Sequence, residues 1–324
     1  MSSADTSAGM DMSSTFAPFF WAFFVSIFLG GINIAQAYIY FPHPTDRTSA
    51  QAIAAFMLIL DLTSSALVAQ SLYYYLVPHF GSLEPLKTIT PELTAECLIS
   101  GIITFISQTY FVYQLYSVKH AGALVRAAIG ILILFTILTF AAGIGCVTMM
   151  YVFASGVLAD RSRDFEIFFG LAKGFGALTD ILATIAMCTF LSNARTGITQ
   201  TDGLIKNLIQ YVVERGAVVS LIQTLLLITF YVAPSNLYWL AFHINVTKLY
   251  ANTFFCMLNS RKTLWEKHAV KNRSAIISGI SNGIELRNRS ATVESGPDFA
   301  FASLQDSLKE HLEMPSKTVV ISEV

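Results

Sequence analysis

The sequence predicts an all-α protein that crosses a membrane as a bundle of seven helices. Of its 324 residues, 54% are apolar and only 13% are charged, whereas about a quarter of the residues in an average soluble domain carry charge. The mean hydropathy is +0.59. The charge is unevenly placed, because 17 of the 41 Asp, Glu, Lys and Arg residues fall in the last 66 positions. A long apolar body followed by a polar tail is typical of a multi-pass membrane protein.

This composition excludes several classes of function. A soluble enzyme domain, a nucleic-acid-binding protein and a disulfide-rich scaffold do not contain such an apolar body. The net charge of −1 offers no basic surface to a polyanion, so no nucleic-acid partner is expected. The cysteines lie in or beside apolar stretches without metal-ligand spacing, which favours small buried side chains: they are Cys97, Cys146, Cys188 and Cys256. The lipid bilayer is the predicted partner.

Seven apolar stretches are long enough to cross a bilayer. A helical span needs about 20 residues for a hydrocarbon layer of about 30 Å, and in lipid only a helix satisfies its backbone polar groups locally. Connectors containing Pro, Gly, Ser or Asn separate most of the stretches, and the shortest of them surrounds Pro234. The predicted spans are residues 16–40, 51–77, 92–117, 123–153, 167–191, 204–232 and 237–258.

The short loops predict the orientation of the bundle. Lys and Arg concentrate in loops that face the cytoplasm. Three of these residues fall on the side of the N-terminus and ten on the other side, five of them within 261–273. We therefore predict an extracellular N-terminus (1–15), a seven-helix domain (16–258) and a cytoplasmic tail (259–324), with the plasma membrane as the location.

The tail is rich in Ser, Asn, Lys and Glu, and most of it is predicted to be disordered. Residues 261–271 are basic and include Leu264 and Trp265, which favours a short helix along the inner leaflet. The last residues, Ile321-Ser-Glu-Val324, match the pattern read by domains that add a peptide as a sheet strand. An unstructured end fits the same residues. The tail is thus the expected contact for cytoplasmic proteins.

Short motifs in the C-terminal half of the apolar body carry a family resemblance: Arg195-Thr-Gly197, Thr201-Asp202, Lys248-Leu-Tyr-Ala-Asn252 and Leu258-Asn-Ser-Arg261. With these motifs the sequence resembles a large fungal family of seven-span membrane proteins defined by a domain of unknown function. The resemblance covers about residues 16–262 and is most specific across 177–262. It implies seven helices and a membrane location, and it supplies no activity.

Ionisable and amide side chains fall toward the middle of the predicted spans. Because a charge at mid-membrane costs a few kcal/mol even on a lenient scale, we predict that these residues neutralise one another in the bundle core. Such a cluster either binds a ligand and switches the bundle or holds the helices in register, and both interpretations stay open. The predicted members are Asp61, Asp180, Glu214, Arg215, Lys248 and Asn252.

Two known chemistries of seven-span proteins find little support. An intramembrane zinc hydrolase needs several His and acidic ligands, and only His243 lies clearly within a span. A retinal protein needs a carboxylate facing a Lys such as Lys248, but the acids of the third span, Glu92 and Glu96, lie at its outer edge. No catalytic constellation, cofactor motif or metal site is visible, so no enzyme is predicted.

The remaining alternatives are a receptor and a transporter. The third span ends Tyr113-Gln-Leu-Tyr-Ser-Val-Lys119, without the acid-Arg-aromatic sequence of G-protein-coupled receptors. Transporters usually contain repeats or broken helices, and no convincing repeat appears in this chain. We predict a receptor-like or sensory membrane protein, with a small-solute transporter or permease component as the alternative. The oligomeric state does not follow from the sequence.

Overall fold

The computed structural model describes the backbone of residues 12–41, 48–79, 88–116, 123–152, 162–193, 199–233 and 236–281. Side chains are described for 16–41, 48–79, 88–116, 126–152, 162–189, 216–233 and 236–259. Across these ranges the chain forms seven helices and no strands, so the all-α prediction is confirmed. The helices are α1 (Met12–Tyr40), α2 (Thr48–Leu76), α3 (Pro91–Tyr116), α4 (Ala123–Val152), α5 (Arg163–Asn193), α6 (Thr199–Val232) and α7 (Tyr238–Ser281).

The first six helices agree with the predicted spans to within about five residues at either end. The seventh is much longer than predicted, because α7 continues through residue 258 to Ser281 as one helix. The short helix predicted over 261–271 is therefore part of α7. The rest of the predicted tail, 282–324, lies outside the described residues, together with the C-terminal Val324 motif.

Among the residues with described side chains, five helices are long and apolar enough to cross a membrane: Phe16–Tyr40, Thr48–Leu76, Pro91–Tyr116, Arg126–Val152 and Arg163–Thr189. In α6 the apolar part with described side chains is shorter, Gly216–Val232. The composition of α7 is less apolar because it contains His243, Asn245 and Lys248. The chain is thus an integral, multi-pass membrane protein, as predicted.

The distribution of side chains is that of a protein solvated by lipid. Large apolar residues lie on the outer surface, among them Trp21, Phe28 and Ile59, with 65%, 75% and 60% of their surface exposed. A soluble protein rarely exposes so much contiguous apolar surface. Charged side chains lie inside instead, since Asp61 and Glu96 are fully buried. Such an arrangement is stable in hydrocarbon, where the polar groups must find partners within the protein.

Side-chain contacts fix the directions in which the helices run. From α3 to α7, Ser100 contacts Thr247 at 2.7 Å and Tyr110 meets Phe254 edge to face at 5.0 Å between ring centroids, so these two helices are parallel. Between α2 and α3, Ser71 contacts Thr90 at 3.0 Å and Ser64 contacts Glu96 at 3.1 Å, so these two helices are antiparallel. Helix α7 packs against α1, α2, α3 and α6, which places it in the interior of the bundle.

Glycines permit close contact between α5 and α6. A Cβ atom added at Gly176 would lie 2.5 Å from the side-chain nitrogen of Gln223, and one added at Gly216 would overlap Thr184. Nothing lies within 4 Å of the equivalent position at Gly174. The absence of a side chain is therefore required for packing at Gly176 and not at Gly174, although both lie in α5.

We expect Gly176→Ala to destabilise the protein by about 1–3 kcal/mol, because the added methyl group displaces the buried amide of Gln223, which is hydrogen-bonded to the Lys173 carbonyl oxygen and to Tyr250. The matched control is Gly174→Ala, which should be neutral or stabilise α5 by up to about 1 kcal/mol through helix propensity. Thermal unfolding of both variants in the same detergent measures the difference. Equal stabilities of the two variants would contradict the described packing of α5 on α6.

Candidate functional site

Helix α7 carries the polar side chains around which the interior is organised. His243, Thr247 and Tyr250 follow the i, i+4, i+7 spacing, so they share one face of the helix. That face contacts α3, since Cys97, Ser100 and Ser107 meet it in the same order along the chain. Lys248 follows Thr247 directly, so its side chain points about 100° away from this face around the helix, and it contacts α2 instead.

The first set of polar contacts joins α7 to α1 and α2. The Lys248 ammonium lies 3.0 Å from Asp61 Oδ1, and both residues are buried, with 1% and 0% of their side-chain surface exposed. The same ammonium donates to the Asp61 carbonyl oxygen at 2.5 Å and to Ser65 Oγ at 2.7 Å. Asn33 donates to the second carboxylate oxygen at 3.2 Å. This ion pair therefore has hydrogen-bond partners on each side, as a buried pair requires.

The second set joins α7 to α3 around Glu96. His243 Nε2 lies 3.1 Å from Glu96 Oε2. The other carboxylate oxygen accepts hydrogen bonds from Ser64 at 3.1 Å and from Thr247 at 3.5 Å. Cys97 Sγ lies 3.4 Å from the same His243 nitrogen. A buried carboxylate, a buried imidazole and a half-buried thiol thus meet at one position, with the carboxylate oriented by two hydroxyl groups.

The third set joins α7 to α5 and α6 around Asp180. Tyr250 donates to Asp180 Oδ2 at 2.5 Å, and its hydroxyl lies 3.0 Å from Gln223 Oε1. Gln108 donates to the other Asp180 oxygen at 3.2 Å. The amide of Gln223 in turn donates to the Lys173 carbonyl oxygen at 3.3 Å. Asp180 is therefore held by neutral donors, without an ion pair among the described side chains.

The six residues predicted to form one cluster are distributed as follows. Asp61 and Lys248 are in direct contact, whereas Asp180 belongs to the separate set of hydrogen bonds around Tyr250. Asn252 lies one turn beyond Lys248 on α7 and is half-buried. The helix α6 carries Glu214 and Arg215, whose side chains lie outside the described residues. Their membership in a common cluster stays a prediction.

Three interior groups have contacts that the sequence did not indicate. Glu96 lies near the start of α3, as expected from its place in the span, and it is fully buried. His243 contacts Glu96 and Cys97. Lys173 was not identified at all. The shared face of His243 and Thr247 on α7 is the signal that pointed to a polar partner on a neighbouring helix.

A small cavity lies between α3, α4 and α5, beside the second set of contacts. Its volume is about 40 Å³, which is enough for about one water molecule. Lys173 lines this cavity, and its ammonium lies 5.8 Å from the centre of the Phe169 ring. No described carboxylate lies within ion-pair distance of Lys173. The hydroxyl groups of Thr136 and Thr139 also line the cavity and have no hydrogen-bond partner among the described residues.

We expect Tyr250→Phe to destabilise the protein by about 1–3 kcal/mol, because it leaves Asp180 without its shortest hydrogen bond in a buried position. The control is Tyr231→Phe, which removes an exposed hydroxyl that donates to the Glu166 carbonyl oxygen and should change stability by less than about 0.5 kcal/mol. Thermal unfolding in detergent measures both. A loss for Tyr250→Phe no larger than that of the control would argue against the described role of its hydroxyl.

Comparison with known protein families finds a match, which lies in the C-terminal half of the chain. No curated protein and no solved structure matches the sequence. The matched segment runs from the middle of α5 through α6 into α7, and it contains Asp180, Gln223, His243, Lys248 and Tyr250. It coincides almost fully with residues 177–262, where the sequence resemblance is most specific. Residues 176–263 match a family of unknown function, DUF6534, and that match brings no activity with it.

Proposed function

We propose that the protein is a receptor-like or sensory membrane protein with seven membrane-spanning helices, in which α7 transmits a change from the polar interior to one face of the membrane. The supporting observation is the continuity of α7 from Tyr238 to Ser281. At 1.5 Å per residue its 44 residues extend about 66 Å, about twice the thickness of a hydrocarbon layer. The same helix carries His243, Lys248 and Tyr250.

The polar contacts of α7 are suited to a switch because they are specific and directional. A packed interior rearranges between discrete states and does not deform continuously. Moving α7 by part of a turn would exchange partners at Asp61, Glu96 and Asp180 together, since all three contact residues 243–250 of one rigid helix. A change at any of these three carboxylates is therefore expected to alter the position of the distant end of α7.

The proposal includes the orientation derived from the loop charges, with the N-terminus outside and the end of α7 in the cytoplasm of a fungal cell. Two glycosylation sequons, Asn272-Arg-Ser274 and Asn288-Arg-Ser290, then lie on the cytoplasmic side. We expect both to stay unmodified when the protein is expressed in a eukaryotic host. A sequon introduced within residues 1–11 is the positive control and should be glycosylated. Glycan at Asn272 or Asn288, detected by a glycosidase-sensitive mobility shift, would overturn this orientation.

A small-solute transporter is the second candidate, and the cavity beside Lys173 is the observation that favours it. At about 40 Å³ this cavity has room for a water-sized group beside a lysine, but it is far smaller than the few hundred Å³ of a typical small-molecule site, so the transporter ranks second. The test is uptake by proteoliposomes of labelled acetate, phosphate, glucose and leucine. Under the receptor proposal, uptake equals that of protein-free liposomes for each solute. Accumulation of any one of them above the protein-free level, and its loss in Lys173→Met, would establish the transporter instead.

A further inference from the structure

Three potential metal ligands of different chemistry meet between α3 and α7. One oxygen of Glu96, the sulfur of Cys97 and a ring nitrogen of His243 all lie within 4.8 Å of one another. The nitrogen lies 3.1 Å from Glu96 Oε2 and 3.4 Å from Cys97 Sγ. Tetrahedral zinc with ligand bonds of about 2.0–2.3 Å separates its ligand atoms by about 3.3–3.6 Å. We infer that Glu96, Cys97 and His243 bind a zinc-type divalent cation.

The donor set determines the class of metal. A thiolate and an imidazole are ligands for borderline or soft cations, whereas Mg²⁺ and Ca²⁺ prefer oxygen ligands. Zinc accepts sulfur, nitrogen and carboxylate oxygen in a single site. The set formed by Glu96, Cys97 and His243 therefore selects Zn²⁺ or a similar ion such as Co²⁺ over the abundant hard cations.

Neighbouring groups orient two of the three ligands. Ser64 and Thr247 both donate to Glu96 Oε1, which leaves Oε2 directed at His243. The other nitrogen of His243, Nδ1, has no hydrogen-bond partner among the described residues. Without the ion, Nε2 donates its proton to Glu96. Because no described group donates to Nδ1, that nitrogen can take up the ring proton when Nε2 binds the ion through its lone pair.

The fourth coordination position faces the cavity between α3, α4 and α5. Cys97 and His243 both line this cavity, so an ion bound to them has room on that side for one water molecule. A zinc site with three protein ligands and one open position has this arrangement.

The charges balance when the ion binds. The thiol of Cys97 loses one proton to become the thiolate, and the imidazole of His243 stays neutral because its proton moves from Nε2 to Nδ1. The carboxylate and the thiolate then offset the two positive charges of the ion, so the occupied site carries no net charge in a low-dielectric interior. One proton is released for each ion bound. Lys173 lines the same cavity but occupies none of the three ligand positions.

The site links α3 to α7, and this inference does not depend on the receptor proposal. The test uses the full-length protein in detergent, stripped with a chelator and titrated with Co²⁺. A tetrahedral Co²⁺–thiolate site gives an intense near-ultraviolet charge-transfer band together with visible bands. We expect the protein to bind about one Co²⁺ per chain and to show these bands. The bands should disappear when excess Zn²⁺ replaces the bound Co²⁺.

Variants separate this site from adventitious binding. Cys97→Ser should abolish the charge-transfer band, and Glu96→Gln should weaken Co²⁺ binding by about 10-fold or more. Cys188→Ser is the matched control, because Cys188 lies on α5 outside the site and is only half-buried; it should bind Co²⁺ like the parent. Folding is checked by gel filtration. A folded parent protein that binds no Co²⁺, or a thiolate band that persists in Cys97→Ser, would overturn the inference.

Discussion

Replacing Lys248 by Met is expected to lower the free energy of unfolding by about 3–5 kcal/mol, because it leaves the Asp61 carboxylate buried without a counter-charge. The ammonium is the only cation within ion-pair distance of Asp61 among the described residues. It also donates to Ser65 and to the Asp61 backbone. Reversible unfolding in mixed micelles, followed by circular dichroism, measures the loss.

Two further variants identify the cause of this loss. Lys173→Met is the matched control, since no described carboxylate is paired with Lys173, and it should change stability by less than about 1 kcal/mol. The double variant Asp61→Asn, Lys248→Met removes both charges and should recover part of the loss. If the effects of the two substitutions are additive instead, Asp61 and Lys248 do not stabilise each other.

Trp239→Ala is expected to destabilise the protein by about 3 kcal/mol, at the lower end for a buried Trp. The indole is 1% exposed and contacts the rings of Phe169 and Phe230 edge to face, at 5.3 and 5.5 Å between centroids. These two rings are themselves stacked at 4.1 Å. Removing the indole of Trp239 leaves a cavity between α5, α6 and α7. In lipid this loss of stability arises from lost van der Waals packing, since the hydrophobic effect contributes little between membrane helices.

Trp21→Ala provides the control with the same change in side-chain chemistry. Trp21 is 65% exposed on α1, where lipid replaces the lost contacts, so we expect a change below about 1 kcal/mol. The measurement is the same unfolding experiment in the same detergent. Equal losses for the two variants would show that Trp239 does not pack in the interior as described.

The helices were largely predictable because each hydrophobic span ends at polar or Pro-containing connectors. Depth along a span also follows from counting residues: Asp61 and Lys248, which the count places at similar depth, are 3.0 Å apart. The end of α7 was not predictable in this way. Composition changes at residue 259, but a helix continues through polar sequence when no Pro or other breaker interrupts it, and α7 runs on to Ser281.

The pairing of interior residues was less predictable than their depth. Counting residues inward from the end of a span gives the depth of a side chain, but it does not give the rotation of each helix about its axis or the identity of the neighbouring helices. Asp180 was expected to balance a charge, whereas it faces Gln108 and Tyr250, which are neutral and carry no obvious sign of that role in the sequence. Glu96 lies near the start of α3, but Ser64 and His243 surround it because α2 and α7 extend past that level.

The position of α7 relative to α3 tests the proposed switch most directly. Spin labels on non-natural amino acids at residues 116 and 271 would mark the end of α3 and the distal part of α7, which run in parallel. Double electron–electron resonance then gives the distance distribution in lipid nanodiscs. We predict that Asp61→Asn, which releases Lys248 from its ion pair, shifts this distribution by at least about 2 Å or adds a second population. An unchanged single distribution in the folded variant would show that the contacts of α7 are a static lock and would contradict the proposed function.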